Sequence, residues 1–216
     1  TPPLATTKIM KLSVIVISFQ SSHLLKKILS NFKNKHQIIV IENSMTQSTK
    51  MLEKKFKNVN VIIPSENLGY AKAFNLAFKK CKNNFVLTIT PDVIINKNLI
   101  EKIEKIINKF KKFTLLAPEY KNQRIYKNFT SLESNEFLKK KICNFKIEKV
   151  KNIDWCFCII NRKKFKKSKI LDENFFMYFE TTDLCKKLEK LKHKMFIIKG
   201  LKFRHLGTSS SHKKFN

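Results

Sequence analysis

Glycine is nearly missing from this chain, with 3 residues in 216. Gly69, Gly200 and Gly207 stand too far apart to build a P-loop or a Gly-rich dinucleotide turn, both of which need clustered glycines so that backbone amides can approach phosphate. Any nucleotide bound here is held another way. Proline is also scarce, at 5 residues, and with so little glycine beside it a disordered or low-complexity chain is excluded. The 5 cysteines (Cys81, Cys143, Cys156, Cys158 and Cys185) are odd in number and form no C-x-x-C pair. That usage fits a reducing, cytoplasmic setting better than a disulfide framework. No apolar run reaches the roughly 18 to 20 residues that a membrane span requires.

Acidic residues are few as well, at 16 Asp+Glu against 45 Lys+Arg, a formal charge of +29. A basic surface binds phosphate by releasing counterions, which raises the question of nucleic acid. The lysines, however, are spread through almost every segment, the pattern of a compositional bias, and no specific nucleic-acid partner is expected. The densest patch, residues 162–167, combines four lysines and an arginine with Phe165. It is the best candidate for peripheral contact with an anionic membrane at the inner face, against the plainer reading of a solvated helix face.

At 43% apolar residues the chain can bury the core of one domain, expected over residues 10–210. Residues 1–9 read as a leader or tag-like segment and residues 211–216 as a tail. Short β-branched runs predict strands at 13–19, 37–41, 60–63 and 85–90. Helical stripes lie between them: Leu24, Leu25, Ile28, Leu29 and Phe32; Ala71, Phe74, Ala77 and Phe78; and Ile100, Ile103, Ile107 and Phe110. Ser21 or Ser22 would cap the first of these and Asn96 or Asn98 the last. Such alternation predicts an α/β fold with a mainly parallel central sheet and helices on both faces. Residues 119–149 are polar and irregular, an excursion or a few short strands. A buried strand returns at 155–160, a helix begins at 184 and a final strand lies at 195–198.

In an open α/β sheet the ligand sits outside the carboxyl ends of the strands. This rule selects Glu42-Asn43-Ser44, then Glu66 to Gly69, then Thr90-Pro91-Asp92. Carboxylates placed there in so basic a chain suggest a bound cation. Asn67-Leu68-Gly69, then Asn75, then Pro91-Asp92, then residues 172–185 (DENFFMYFETTDLC), then His205-Leu-Gly-Thr-Ser209 resemble, in order, the motifs of family 2 glycosyltransferases. Their fold is GT-A, and the rhamnosyltransferase-like branch is the nearest.

The resemblance implies a metal-dependent, inverting transfer of a sugar from a nucleotide-diphosphate donor to a hydroxyl of a surface-polysaccharide or lipid-linked acceptor. Glu42, Asn67, Gly69, Asn75 and Asp92 would hold the nucleotide-sugar. Asp92 and His205 would hold a divalent cation, Mn or Mg. Glu180 would be the general base with Asp183 as its partner, both on one face at the opening of a helix. Two departures stand out. Thr90 occupies the place of a usual Asn or Asp, and Thr181 the place most often given to the base. They leave open a non-catalytic sugar-nucleotide-binding or scaffold protein derived from this fold. Residue by residue, plainer readings also stand: a strand-to-helix turn for Asn67 and Gly69, a helix-capping Asp92, and helix-dipole complements at Glu180 and Asp183. Trp155 would line the acceptor side or fill the core. Cys156 and Cys158 are expected on one strand face as core residues.

Overall fold

The structure, a computed structural model, describes residues 10–121, 127–132 and 141–207. The expected leader at 1–9, the tail at 211–216, and Thr208 and Ser209 of the His205 motif lie outside these residues.

The β-branched runs form β1 (Leu12–Ser18), β2 (Gln37–Glu42), β3 (Val59–Ile62) and β4 (Phe85–Ile89), which lie in the order β3-β2-β1-β4, all parallel. Among the described residues there are five α-helices: α1 (Ser22–Leu29), α3 (Gly69–Lys80) and α4 (Lys97–Lys109) follow from the three periodic stripes, α2 (Met51–Lys55) was not expected, and α5 (Glu180–Lys190) begins four residues before the expected 184. Of the two cap candidates for α4, Asn96 does the work, its side chain accepting from Leu99 N at 2.9 Å. Successive strand residues face opposite sides, so each strand feeds two cores. Val14, Val16 and Val40 join Leu25, Ile28, Ile103 and Ile107 from α1 and α4. Ile15, Ile39 and Ile41 join Phe74, Phe78, Leu184 and Leu188 from α3 and α5. Helices therefore cover both faces, as expected.

The second half is mixed. After β5 (Val93–Ile94) come β6 (Leu115–Tyr120), β7 (Phe129–Ser131), β8 (Lys146–Ile153), β9 (Phe157–Asn161) and β10 (Met195–His205). β9 runs antiparallel between β4 and β6, and β10 runs parallel to β6. By these pairings β10 points the same way as β4, and their carboxyl ends share one edge. β10 also extends well past the expected 195–198. The apolar run stops at Ile198, but the strand shifts register between Ile198 and Lys202, with Gly200 at φ +83°. Glu119 accepts from Gly200 N at 2.6 Å, and Lys199 pairs with Glu119 and Glu148. Those polar contacts carry the strand through the irregularity to His205.

Candidate active site

Two of the expected residues meet directly. β5 pairs antiparallel with the end of β10, Val93 opposite His205, and Leu206 N donates to Asp92 O at 3.1 Å. His205 Nε2 thereby comes within 3.2 Å of Asp92 Oδ2. Burial opposes charge on both side chains, yet their mutual attraction wins: the Asp92 carboxyl is held below its ordinary range and the His205 imidazole above its own. The Thr90 hydroxyl also favours the Asp92 anion. Tyr120 fixes His205 from behind by donating its hydroxyl to His205 O at 2.6 Å.

Among the described residues no group of three or more His, Cys, Asp or Glu side chains gathers to hold a metal ion. Asp92 and His205 offer one hard oxygen and one nitrogen facing each other. Such a pair would hold a divalent cation only together with oxygen donors from outside the chain.

Glu180 opens α5 and is 5% exposed, and its Oε2 has no hydrogen-bond partner. Burial pushes its carboxyl above the ordinary range. The residues leading into it are unusual: Tyr178 and Phe179 both take left-handed φ, 69° and 66°. That turn is anchored on α3, where Phe176 O accepts from Tyr70 N at 2.7 Å. Gly69 is required there, since a Cβ would lie 2.2 Å from Phe176 O and its φ is +68°.

Asp154 is the functional candidate that motif reading missed. Its backbone N donates to Asn128 O at 2.8 Å, Asn128 in turn accepts from Tyr120 N, and the neighbouring Cys156 O accepts from Thr90 N at 3.0 Å. Asp154 thus sits between the segments that carry Asp92 and His205. Burial raises the Tyr70 phenol, with smaller contributions from the charges of Glu180 and Asp154, and Asp154 adds weakly to the pull of Asp92 on the His205 imidazole. The sequence signal was only an acid immediately before the buried strand that restarts at Trp155. Phe19, 37% exposed after β1, and Met45, 40% exposed after β2, add apolar surface at the carboxyl edge.

Several expected roles need correction. Asn75 is buried and its amide is fully used: Nδ2 donates to Leu171 O and Glu173, and Oδ1 accepts from Ile170 N and Leu171 N. No bonding capacity remains for a ligand. Glu42 has no exposed surface, and its carboxylate accepts from Ser44 N, the Ser44 hydroxyl and Thr49 Oγ1. It buttresses the turn after β2. Asn67 accepts from Gly69 N at 3.0 Å, shaping the entry to α3. Asp183 is not beside Glu180 as a partner but pairs with Lys187 at 2.6 Å toward the surface. Trp155 is 2% exposed and packs edge-on against Phe74, so it belongs to the core. Cys156 and Cys158 do not share a face: Cys156 precedes β9 and joins one core, Cys158 the other. Burial pushes both thiols well above their usual range, the condition of inert cysteines.

The chain matches the description Glycosyl transferase family 2 over residues 13–168. It is 23% identical over 188 residues to the low-salt glycan biosynthesis hexosyltransferase Agl10 of Haloferax volcanii, covering 81% of this chain and 60% of that protein. In structure it resembles the mannosyltransferase PcManGT from Pyrobaculum calidifontis, in complex with GDP-Man and Mn2+, with a TM-score of 0.68 at 10% identity, covering 93% of this chain and 58% of that one. The S. aureus TarS 1-349 structure gives 0.66 at 19% identity, covering 91% and 60%. The chain thus spans less than two thirds of the length of each. Low identity limits the structural likenesses to the fold, but the match over residues 13–168 covers most of the sequence: the chain belongs to glycosyltransferase family 2 and carries its domain on a GT-A fold.

Proposed function

We propose that residues 10–210 form one catalytic domain that transfers a sugar from a nucleotide-diphosphate donor to a hydroxyl of a polysaccharide or lipid-linked acceptor, on the cytoplasmic side. The observation that carries this reading is the meeting of Asp92 and His205 at the carboxyl edge; the buried Glu180, whose Oε2 has no hydrogen-bond partner, adds a carboxylate at the start of α5. The relatives' names point the same way: PcManGT was solved with GDP-Man and Mn2+, and TarS 1-349 with UDP-GlcNAc.

The donor diphosphate would lie at the edge formed by the Asn67–Gly69 turn and Asp92, with its base against Phe19. A divalent cation held by Asp92 and His205 would neutralise the charge of the diphosphate. Glu180 would take the proton of the acceptor hydroxyl as its oxygen attacks the anomeric carbon. The bond from that carbon to the diphosphate breaks, its electron pair leaves with the diphosphate, and the configuration inverts. A raised carboxyl pKa suits this role, because a more basic Glu180 accepts the proton more readily near neutral pH. The turn that presents it is held by Tyr70 N donating to Phe176 O and Asp183 N donating to Phe179 O.

Thermal-shift and donor-hydrolysis measurements with UDP-, GDP- and dTDP-sugars, each with and without Mn2+, test this reading. One nucleotide-sugar should stabilise the fold in the presence of Mn2+ and be turned over. Stabilisation without turnover in either wild type or Glu180→Gln would establish the non-catalytic, sugar-nucleotide-binding alternative instead.

A further inference from the structure

The segment between β9 and α5 runs as a strap antiparallel to α3. Phe165 packs edge-on against Phe78 near the end of that helix, Ile170 and Leu171 bond to Asn75 in its middle, and Phe176 rests on Gly69 at its start. At 1.5 Å of rise per residue, the two ends of the strap are about 14 Å apart. They differ in chemistry. At the Phe78 end, an open cavity of about 380 Å³ is lined by Arg162, Lys163, Lys166, Lys167, Ser168 and Asn84 among others, and no carboxylate lines it. At the Gly69 end, Phe176, Met177, Tyr178 and Phe179 are each more than half exposed, four large apolar side chains in a row.

The acids on the strap are already matched. Glu173 pairs with Lys169, and Asp172 faces Lys187. Among the described residues Arg162, Lys163, Lys164, Lys166 and Lys167 form no salt bridge, and Lys72, Lys79 and Lys80 are exposed on the adjoining helix. Solvating four apolar side chains on a turn with two left-handed non-glycine residues costs free energy twice, in hydration and in backbone strain. An occupant that covers the tip removes the hydration cost, and its negative charges meet the lysines. A duplex nucleic acid, whose bases are stacked inside, would satisfy the cations only. An anionic bilayer satisfies both ends, phosphates at the cavity and acyl chains around the tip.

We propose that the strap from Arg162 to Phe179 docks the protein on an anionic membrane at two points, the basic cavity on headgroup phosphates and the Phe176–Phe179 tip in the interface. Because the tip leads straight into Glu180, docking brings a lipid-linked acceptor to that carboxylate, a consequence that rests on the transferase reading. The docking itself does not.

Co-sedimentation of the full chain with vesicles, without any sugar donor, tests the proposal. The protein should pellet with phosphatidylcholine vesicles containing phosphatidylglycerol and stay in solution with phosphatidylcholine alone. A tip variant, Met177→Glu with Phe179→Asn, should lower the bound fraction constant at least about tenfold. Asn suits both the left-handed φ and the helix cap, so this variant is designed to fold. Lys163→Glu with Lys166→Glu and Lys167→Glu should abolish pelleting. An environment-sensitive dye on Met177→Cys, in a Cys143→Ser background that removes the one partly exposed thiol among the described residues, should shift to the blue with the anionic vesicles, which keeps the test decisive whatever the stability of the other variants. Wild-type pelleting of the tip variant, an unmoved dye, or binding to duplex DNA in preference to vesicles would each overturn the proposal. Since no donor is present, failure here leaves the transfer chemistry standing, and loss of turnover elsewhere leaves the docking standing.

Discussion

His205 Nε2 faces Asp92 Oδ2 at 3.2 Å, a pair made by the antiparallel pairing of the two-residue β5 with the end of β10. Replacing Asp92 by Asn preserves the shape and removes the negative charge. Asp92→Asn should lose about 10²-fold to 10³-fold in turnover, the range seen when one stabilising group of a transition state is removed. Calorimetric titration with the nucleoside diphosphate should show Mn2+-dependent affinity in wild type and none in the variant. Equal metal dependence in both would remove Asp92 from the cation site.

Glu180 carries the second prediction. Glu180→Gln should lower kcat by about 10²-fold to 10⁴-fold and leave donor affinity unchanged. The acid limb of the wild-type pH–rate profile should lie above the ordinary glutamate value of 4.5 because burial raises this carboxyl. The stability effect has the opposite sign from that of a paired carboxylate. With its folded pKa above the unfolded one, Glu180 binds its proton more tightly when folded, so its ionisation destabilises the fold as pH rises through that window. Glu180→Gln should therefore melt no lower than wild type at neutral pH, which a merely structural glutamate would not allow.

Much of this architecture was readable in the residues. β1 to β4 and the stripes of α1, α3 and α4 are local patterns, and local patterns survive folding. The approach of Asp92 to His205 was available only from the order of motifs, because the strand that delivers His205 continues through Lys199 and Gly200, where the apolar run has ended. Saturation could not be read at all. Asn75 and Glu42 occupy motif positions, but the Asn75 amide is spent on distant Ile170 and Leu171 and the Glu42 carboxylate on the fold of the turn that follows it, Ser44 and Thr49. Asp154 was hidden for the same reason, since its neighbours Asn128, Tyr120 and Thr90 come from other segments.

Gly69→Ala tests the contact between the strap and α3. The new Cβ would meet Phe176 O at 2.2 Å, and a left-handed φ alone costs an L-residue roughly 1 to 2 kcal/mol. The strap must shift, breaking the bond from Tyr70 N and moving Glu180 with it. Both melting temperature and kcat should fall. A variant that melts lower but keeps full kcat would show that the position of the tip does not govern Glu180.

A buried ionic cluster far from the edge sets the acid stability. Glu104 Oε2 accepts from Lys35 at 2.6 Å, and Oε1 lies 2.8 Å from His36 Nε2, while His36 Nδ1 accepts from Leu12 N. Burial works against the Glu104 anion, but the bonds from His36 and Lys35 prevail and hold its carboxyl below 4.5. A depressed carboxylate contributes stability above its unfolded pKa and loses it as pH falls through the folded value. Glu104→Ala should cost about 2 kcal/mol at pH 7. Urea melts of wild type and variant should converge below the ordinary glutamate range, and a constant gap down to pH 3 would contradict the assignment.

Asn75 separates a latch from a ligand contact. Its amide makes four hydrogen bonds, to Ile170 N, Leu171 N, Leu171 O and Glu173, and so ties the middle of the strap to α3. Asn75→Ala strands buried backbone groups, for which about 3 kcal/mol is a fair cost. In a chain of this size that corresponds to a melting temperature lower by roughly 6 to 12 °C. Asn75→Asp should fare worse at neutral pH, because it keeps the acceptor oxygen for Ile170 and Leu171 but turns an anion toward Leu171 O and Glu173. A latch predicts that both variants, measured well below their melting temperatures, bind the nucleoside diphosphate with wild-type affinity. A residue touching the donor predicts the reverse, weaker binding with little change in melting.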